Sequence, residues 1–204
     1  MKAIKLLFFA DRYHIRKFGT PITYDDYFAI QHGPIQSTTK NMLTLEEFYL
    51  LNQLDEESSE FIRNNIHTHV QSNKYEVEIL NPEKDSLVSR SEQNSIEFSL
   101  SSFFHFDQYE LAKITHDYPE WKKFESFFNA DLNTRKCMTY LDFFKNPIID
   151  ESPFIKKYLK GEDLFYEDEE TMDIMRDDFI INHPDLFLEM KENANIIKSI
   201  DSPS

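Results

Sequence analysis

The stretch MKAIKLLFFADRYHIRKFGTPITYDDYFAIQHGPIQSTTKNML, residues 1–43, carries the signals that decide the fold. Ile4, Leu7, Phe8, Asp11, Ile15 and Phe18 recur at the three-and-four spacing of one helical face. Gly19 ends that helix, Thr20 and Pro21 turn the chain, and residues 22–30 are rich in the aromatic and β-branched side chains of extended backbone. His32-Gly33-Pro34 closes the unit, because glycine accepts positive φ and proline keeps the preceding residue out of the helical region. A second helix is expected next, with Ser37 or Thr38 as its N-cap and Met42, Leu45, Phe48 and Tyr49 as its apolar stripe.

Further along, acidic residues 55–60 open a third helix carrying Phe61, Ile62, Asn65, Ile66 and Val70. Residues 75–79, YEVEI, alternate as a half-buried strand does, and residues 86–90 are its expected hairpin partner. The serine-rich residues 91–100 read as a loop. Asp107 caps a helix bearing Tyr109, Leu111, Ala112 and Ile114. Tyr118-Pro119 breaks it and starts another, whose face is Trp121, Phe124, Phe127 and Phe128. A short helix over residues 140–144 precedes Asn146-Pro147. The resulting fold class is mainly α with a small β-hairpin (α+β).

Composition narrows the function. Only three glycines occur, which disfavours glycine-rich phosphate loops and turn-dense β architectures, while 19 Phe and 10 Tyr predict a core built from rings. The formal charge of −15 opposes direct binding to a phosphate backbone and favours a basic partner. Cys137 is the single cysteine, so no disulfide forms within the chain, in keeping with a reducing cytoplasm. Asp11 and Arg12 interrupt the first apolar run, which therefore reads as a helix of the fold and not as a leader. Residues 147–204 hold 15 Asp and Glu against 6 Lys and Arg, a net of −9, and still carry amphipathic patterns through Tyr158, Met172, Met175 and Phe179. They form an acidic helical C-terminal extension to a domain of residues 1–146, with residues 198–204 expected to fray.

No catalytic constellation stands out. The chain has no G-x-S-x-G elbow and no lysine-bearing phosphate loop. His67 and His69 have the spacing of two zinc ligands on a strand, but no third ligand lies at a motif distance, so they read as surface histidines. His183 precedes a proline and reads as a turn residue. His32 and His116 sit at chain reversals and read as structural, and Trp121 reads as core. Neither a metal nor a cofactor is expected.

The motifs resemble a known family. KLLFFADRYH (residues 5–14), the G-x-P of Gly19 and Pro21, the H-G-P of His32, Gly33 and Pro34, and ELAKITHDYPEW (residues 110–121) are similar in order and spacing to the Panacea, or SocA-like, antitoxin domain. The tyrosine usual before Gly-Pro is His32 here, and the tail beyond Asn146 is longer than the minimal domain. The resemblance implies a compact helical domain in which Asp11, His14, Gly19, Pro21, His32, Gly33, Pro34, His116, Pro119 and Trp121 are family motif positions of structural character. It also implies a non-enzymatic, cytoplasmic antitoxin of a bacterial or phage-encoded toxin–antitoxin pair. Such a protein neutralises a protein toxin by direct binding or, in the alternative, delivers it to a protease. An uncharacterised enzyme using His32 and His116 is the remote third reading. With the tail's charge, this places the contact with a basic toxin surface on Tyr158, Phe165, Tyr166, Asp168, Glu169, Glu170, Asp177, Asp178 and Phe179. Neither a basic recognition helix for DNA nor a membrane segment is visible.

Overall fold

A computed structural model of the chain describes residues 2–71, 74–80, 88–130, 135–160 and 167–186. Its elements in order are α1 (Lys2–Phe18), β1 (Tyr27–Ile30), β2 (Gly33–Gln36), α2 (Ser37–Leu43), α3 (Glu47–Asn52), α4 (Glu56–Asn65), β3 (Ile66–Gln71) and β4 (Lys74–Ile79). They continue with α5 (Arg90–Phe103), α6 (Gln108–His116), α7 (Pro119–Lys122), α8 (Glu125–Ala130), β5 (Lys136–Cys137), two 3-10 turns (Tyr140–Phe144 and Ile149–Glu151), α9 (Pro153–Tyr158) and α10 (Glu169–Asn182). The fold is mostly helical α+β, as the sequence predicts.

Helix α1 is central. Its apolar stripe is present, but the buried surface is far wider, because Lys5, Phe9, Ala10, Arg12, His14 and Arg16 are buried together with Ile4, Phe8, Asp11 and Ile15. Phe18, expected in the stripe, is exposed. Gly19 ends the helix with φ 73° and donates to the Ile15 carbonyl at 2.9 Å. Around Phe8 the rings of Tyr27, Tyr118 and Phe143 meet edge to face at centroid distances of 6.0, 6.5 and 5.6 Å.

The serine-rich segment expected as a loop is helix α5. Ser89 and Glu92 form a reciprocal capping box that starts it. Ser95, Ser99 and Ser102 lie on its buried face, where small side chains let the helix close on α1. Ser99 Oγ donates to the Leu6 carbonyl at 2.6 Å, and Phe103 stacks on Phe9 with centroids 3.8 Å apart. Serine is polar in a propensity table but small in a packed interface, and here packing decides.

Two further expectations are corrected. Strand β4 pairs antiparallel with β3, with Ile66 opposite Ile79 and Val70 opposite Tyr75. The third helix therefore stops at Asn65, and Arg90 belongs to α5, while residues 81–87 lie outside the described residues. Helix α2 has Gln36 as N-cap without a side-chain cap, so neither Ser37 nor Thr38 performs that role. Asp25 supplies it from outside the helix, accepting from Thr38 N–H at 2.8 Å and Thr39 N–H at 2.6 Å. The stripe expected to run through Leu45 breaks there, where φ is 51°, and a separate helix α3 follows.

The second sheet has the order β2-β1-β5, with Phe28 opposite both Ile35 and Cys137. The C-terminal elements share the one core: Ile155, Leu159 and Phe179 belong to the cluster that contains Phe8, Phe103 and Trp121. The change at residue 146 is one of charge, without a break in the core.

Candidate functional site

Residues of α1 and of the segments that carry the motifs meet in three buried polar clusters. In the first, the Asp11 carboxylate accepts from Ile22 N–H at 2.6 Å, Thr23 N–H at 3.1 Å, the Thr23 hydroxyl and the Tyr27 hydroxyl at 2.7 Å. It thus fixes the chain after Pro21 and the start of β1. Burial pushes the Asp11 carboxyl up, and these hydrogen bonds partly offset that shift. His14 Nδ1 bonds the Thr20 carbonyl at 2.6 Å, holding the same turn against the helix.

In the second cluster Arg12 Nε donates to Glu120 Oε1 at 2.7 Å, with both side chains almost fully buried. The Arg12 guanidinium lies 4.3 Å over the Tyr118 ring, and its Nη2 donates to the Lys145 carbonyl at 2.9 Å. Arg16 reaches the Phe143 carbonyl at 3.0 Å and Asn146 Oδ1 at 2.6 Å. Two arginines of α1 therefore anchor the segment after the 3-10 turn.

The third cluster holds the H-G-P motif. Lys5 is buried and donates from Nζ to the Pro34 carbonyl at 2.6 Å. Trp121 Nε1 donates to the Ile30 carbonyl at 2.8 Å, and His116 lies face to face on Trp121 with centroids 3.7 Å apart. Pro119 is the first residue of α7, as expected. Gly33 takes φ 90°, and exposed His32 stands in the turn before it. Burial first, then the Lys5 ammonium, pushes the His116 imidazole from 6.5 down to about 4.

That shift has a signed consequence. The unfolded chain takes up a proton on His116 near 6.5, whereas the folded chain does so only near 4. The resulting stability is fully present above 6.5 and is lost as pH falls through that window. His116→Phe keeps a ring on Trp121 and is expected to reduce the loss of unfolding free energy across that window by roughly 1–2 kcal/mol, read from urea unfolding at each pH and discounted for partial solvent access. An unchanged slope would place the acid sensitivity on other groups.

The clusters hold backbone segments together. Sequence reasoning missed Lys5, Arg12, Arg16 and Glu120 as participants because charged side chains on a helix ordinarily face water. Glu120, inside the P-E-W of the second motif, offered the one local hint.

Elsewhere the expected contact residues separate. Asp168 caps α10, accepting from Thr171 N–H at 2.9 Å. Tyr158 is half-buried against Phe106, at 5.4 Å between centroids. Phe179 is 1% exposed, packed on Tyr140 and Phe144, so its ring serves the core and is not displayed to a partner. His183 ends α10, its N–H donating to the Phe179 carbonyl at 2.9 Å. Phe165 and Tyr166 lie outside the described residues, as do residues 198–204. Glu169, Glu170, Asp177 and Asp178 are exposed.

A model of the family described as "Antitoxin SocA-like, Panacea domain" matches residues 4–122. The chain belongs to that family. Of the Panacea motif positions, Asp11 and His14 sit in the first cluster and Gly33, Pro34, His116 and Trp121 in the third, whereas the second is built by other residues. The matched segment nevertheless stops short of Phe128, Phe143, Ile155 and Phe179, which complete the same core. Neither curated proteins nor solved structures return a match.

Between the family-matched part and α10 runs a cleft of about 440 Å³ lined by Pro119, Lys122, Leu141, Phe144, Met172 and Arg176, among others. Its cations face partners already: Lys122 donates to the Glu151 carbonyl at 2.7 Å and Arg176 pairs with Asp173 at 2.8 Å. No described helix is long and apolar enough to cross a membrane.

Proposed function

We propose that this protein is an antitoxin that neutralises a cognate protein toxin by direct binding, using the outer face of α10 as contact surface. The observation that carries the surface is the exposure pattern along the helix. Met172 and Phe179 are buried, whereas Glu170, Asp173, Ile174, Asp177, Asp178 and Ile181 are exposed. Ile174 and Ile181 are 58% and 73% exposed, seven residues apart on one stripe flanked by acids. Membership of the Panacea antitoxin family supports the class. The −15 charge supports a basic partner face, with the acids speeding encounter and the isoleucines holding the complex. The toxin meets this helix in the reducing cytoplasm, and binding, not catalysis, is the activity.

Deleting residues 147–204 would remove core side chains as well as the surface, so point changes make the cleaner test. Ile174→Gln/Ile181→Gln, which adds no charge to an already acidic helix, is expected to leave stability within about 0.5 kcal/mol, as exposed positions do. It should abolish growth rescue when co-expressed with a neighbouring gene product that arrests growth when expressed alone. Full rescue would exclude α10 as the contact face. Toxin that stays at its normal level in a complex marks inhibition, and toxin that disappears only when a protease is present marks the adaptor alternative.

A further inference from the structure

The hairpin β3–β4 brings together a set of donors that linear spacing does not reveal. In its register His67 lies opposite Glu78 and His69 opposite Glu76, so all four side chains stand on one face of the two-stranded sheet. Ile66, Thr68, Val70, Tyr75, Val77 and Ile79 occupy the other face. The Thr68 hydroxyl donates to the Leu43 carbonyl at 2.6 Å, and Leu80 N–H donates to the Asn65 carbonyl at 2.8 Å. The first bond ties that face to the body at Thr68, the second extends the ladder by one pair, and His67, His69, Glu76 and Glu78 all stand exposed to solvent.

On that outer face the imidazoles of His67 and His69 lie 4.1 Å apart between centroids, and one ligand atom from each of His67, His69 and Glu78 lies within 4.8 Å of the others. Two ligands of one tetrahedral zinc stand about 3.4 Å apart, given bonds of about 2.0–2.1 Å. Rotation of exposed side chains covers the difference without moving the backbone. We propose that His67, His69 and Glu78 form a divalent metal site of the two-histidine, one-carboxylate type suited to Zn(II). Imidazole nitrogen and carboxylate oxygen are ligands that zinc takes in such three-residue sets, with water completing the fourth position. Glu76 adds a second carboxylate to the same face and favours a dication over a bare histidine pair. Bound metal would tie β3 to β4 across the hairpin and stiffen it. The site is separate from the toxin-contact reading of α10 and does not depend on it.

The test uses the full chain, stripped with EDTA and titrated with zinc chloride by calorimetry. One zinc per chain is expected. Glu78→Gln, which keeps the size and polarity of the side chain, should weaken binding by roughly tenfold or more, and His67→Ala/His69→Ala should abolish it. His105→Ala should change nothing. Circular dichroism confirms that each variant is folded; should the double histidine variant fail that check, Glu78→Gln alone decides. Absence of zinc uptake by the unmodified chain, or uptake that survives Glu78→Gln and the double histidine variant undiminished, would overturn the site.

Discussion

Glu120→Ala is expected to destabilise the fold by about 3–5 kcal/mol, the usual cost of removing one partner from a buried ion pair. Glu120 is 0% exposed, and Arg12 Nε reaches its Oε1 at 2.7 Å. Burial pushes the Glu120 carboxyl up, and the Arg12 guanidinium holds it partly down. Its other oxygen, Oε2, is buried without a hydrogen-bond partner among the described residues, so the pair is only partly satisfied. Truncation would leave the Arg12 charge facing a cavity between α1 and α7, and the Lys145 carbonyl at 2.9 Å cannot neutralise it. Against a typical total of about 5–15 kcal/mol, such a loss brings the variant near the limit of folding. Arg12→Met/Glu120→Leu, which removes both charges and keeps volume, is expected to recover much of the loss. Urea unfolding at neutral pH measures both. A single-variant cost below about 1 kcal/mol would show that water reaches the pair.

Gly33→Ala should cost about 3 kcal/mol, well above the cost of Gly19→Ala. Both glycines have positive φ, 90° and 73°, so alanine is strained at each by about 1 kcal/mol. Their surroundings differ. A Cβ at Gly19 meets nothing within 4 Å. A Cβ at Gly33 would overlap Thr115 Oγ1 and lie 2.7 Å from Lys5 Nζ. Lys5 cannot swing aside cheaply, since its buried ammonium would lose the Pro34 carbonyl. Overpacking of this kind adds roughly 1–3 kcal/mol to the strain. Thermal or urea unfolding of the two variants side by side separates the terms, and equal losses would mean that backbone conformation alone explains the glycine of the H-G-P motif.

Much of this fold was legible in neighbouring residues. The ends of α1 at Gly19, of α6 at Asp107 and of α7 at Pro119 follow from caps, turns and prolines acting within one helical turn. The errors share a cause in contacts made across the molecule. Residues 91–100 read as a loop because their serines are polar, and only the approach of α1 shows why small side chains belong there. Ile66 and Val70 read as helix because the partner that draws them into a strand is β4, which the sequence pairs with residues 86–90 instead. The same blindness hid Glu78 as a companion of His67 and His69, which are joined by register and not by spacing. That Ile174 and Ile181 face outward while Met172 and Phe179 are buried is not legible in the pattern, because amphipathicity alone does not say which apolar residues a helix buries.

By itself the sequence determined the helical class, the aromatic core, the acidic balance and the family motifs. All of these are set by composition or by residues a few positions apart. Tertiary structure alone decided that Lys5, Arg12 and Arg16 point inward, that Asp25 caps a helix it does not belong to, and that the acidic C-terminal segment lends Phe179 to the common core. The physical reason is separation along the chain. Arg12 and Glu120 stand 108 residues apart, and a buried charge becomes tolerable only once its partner arrives.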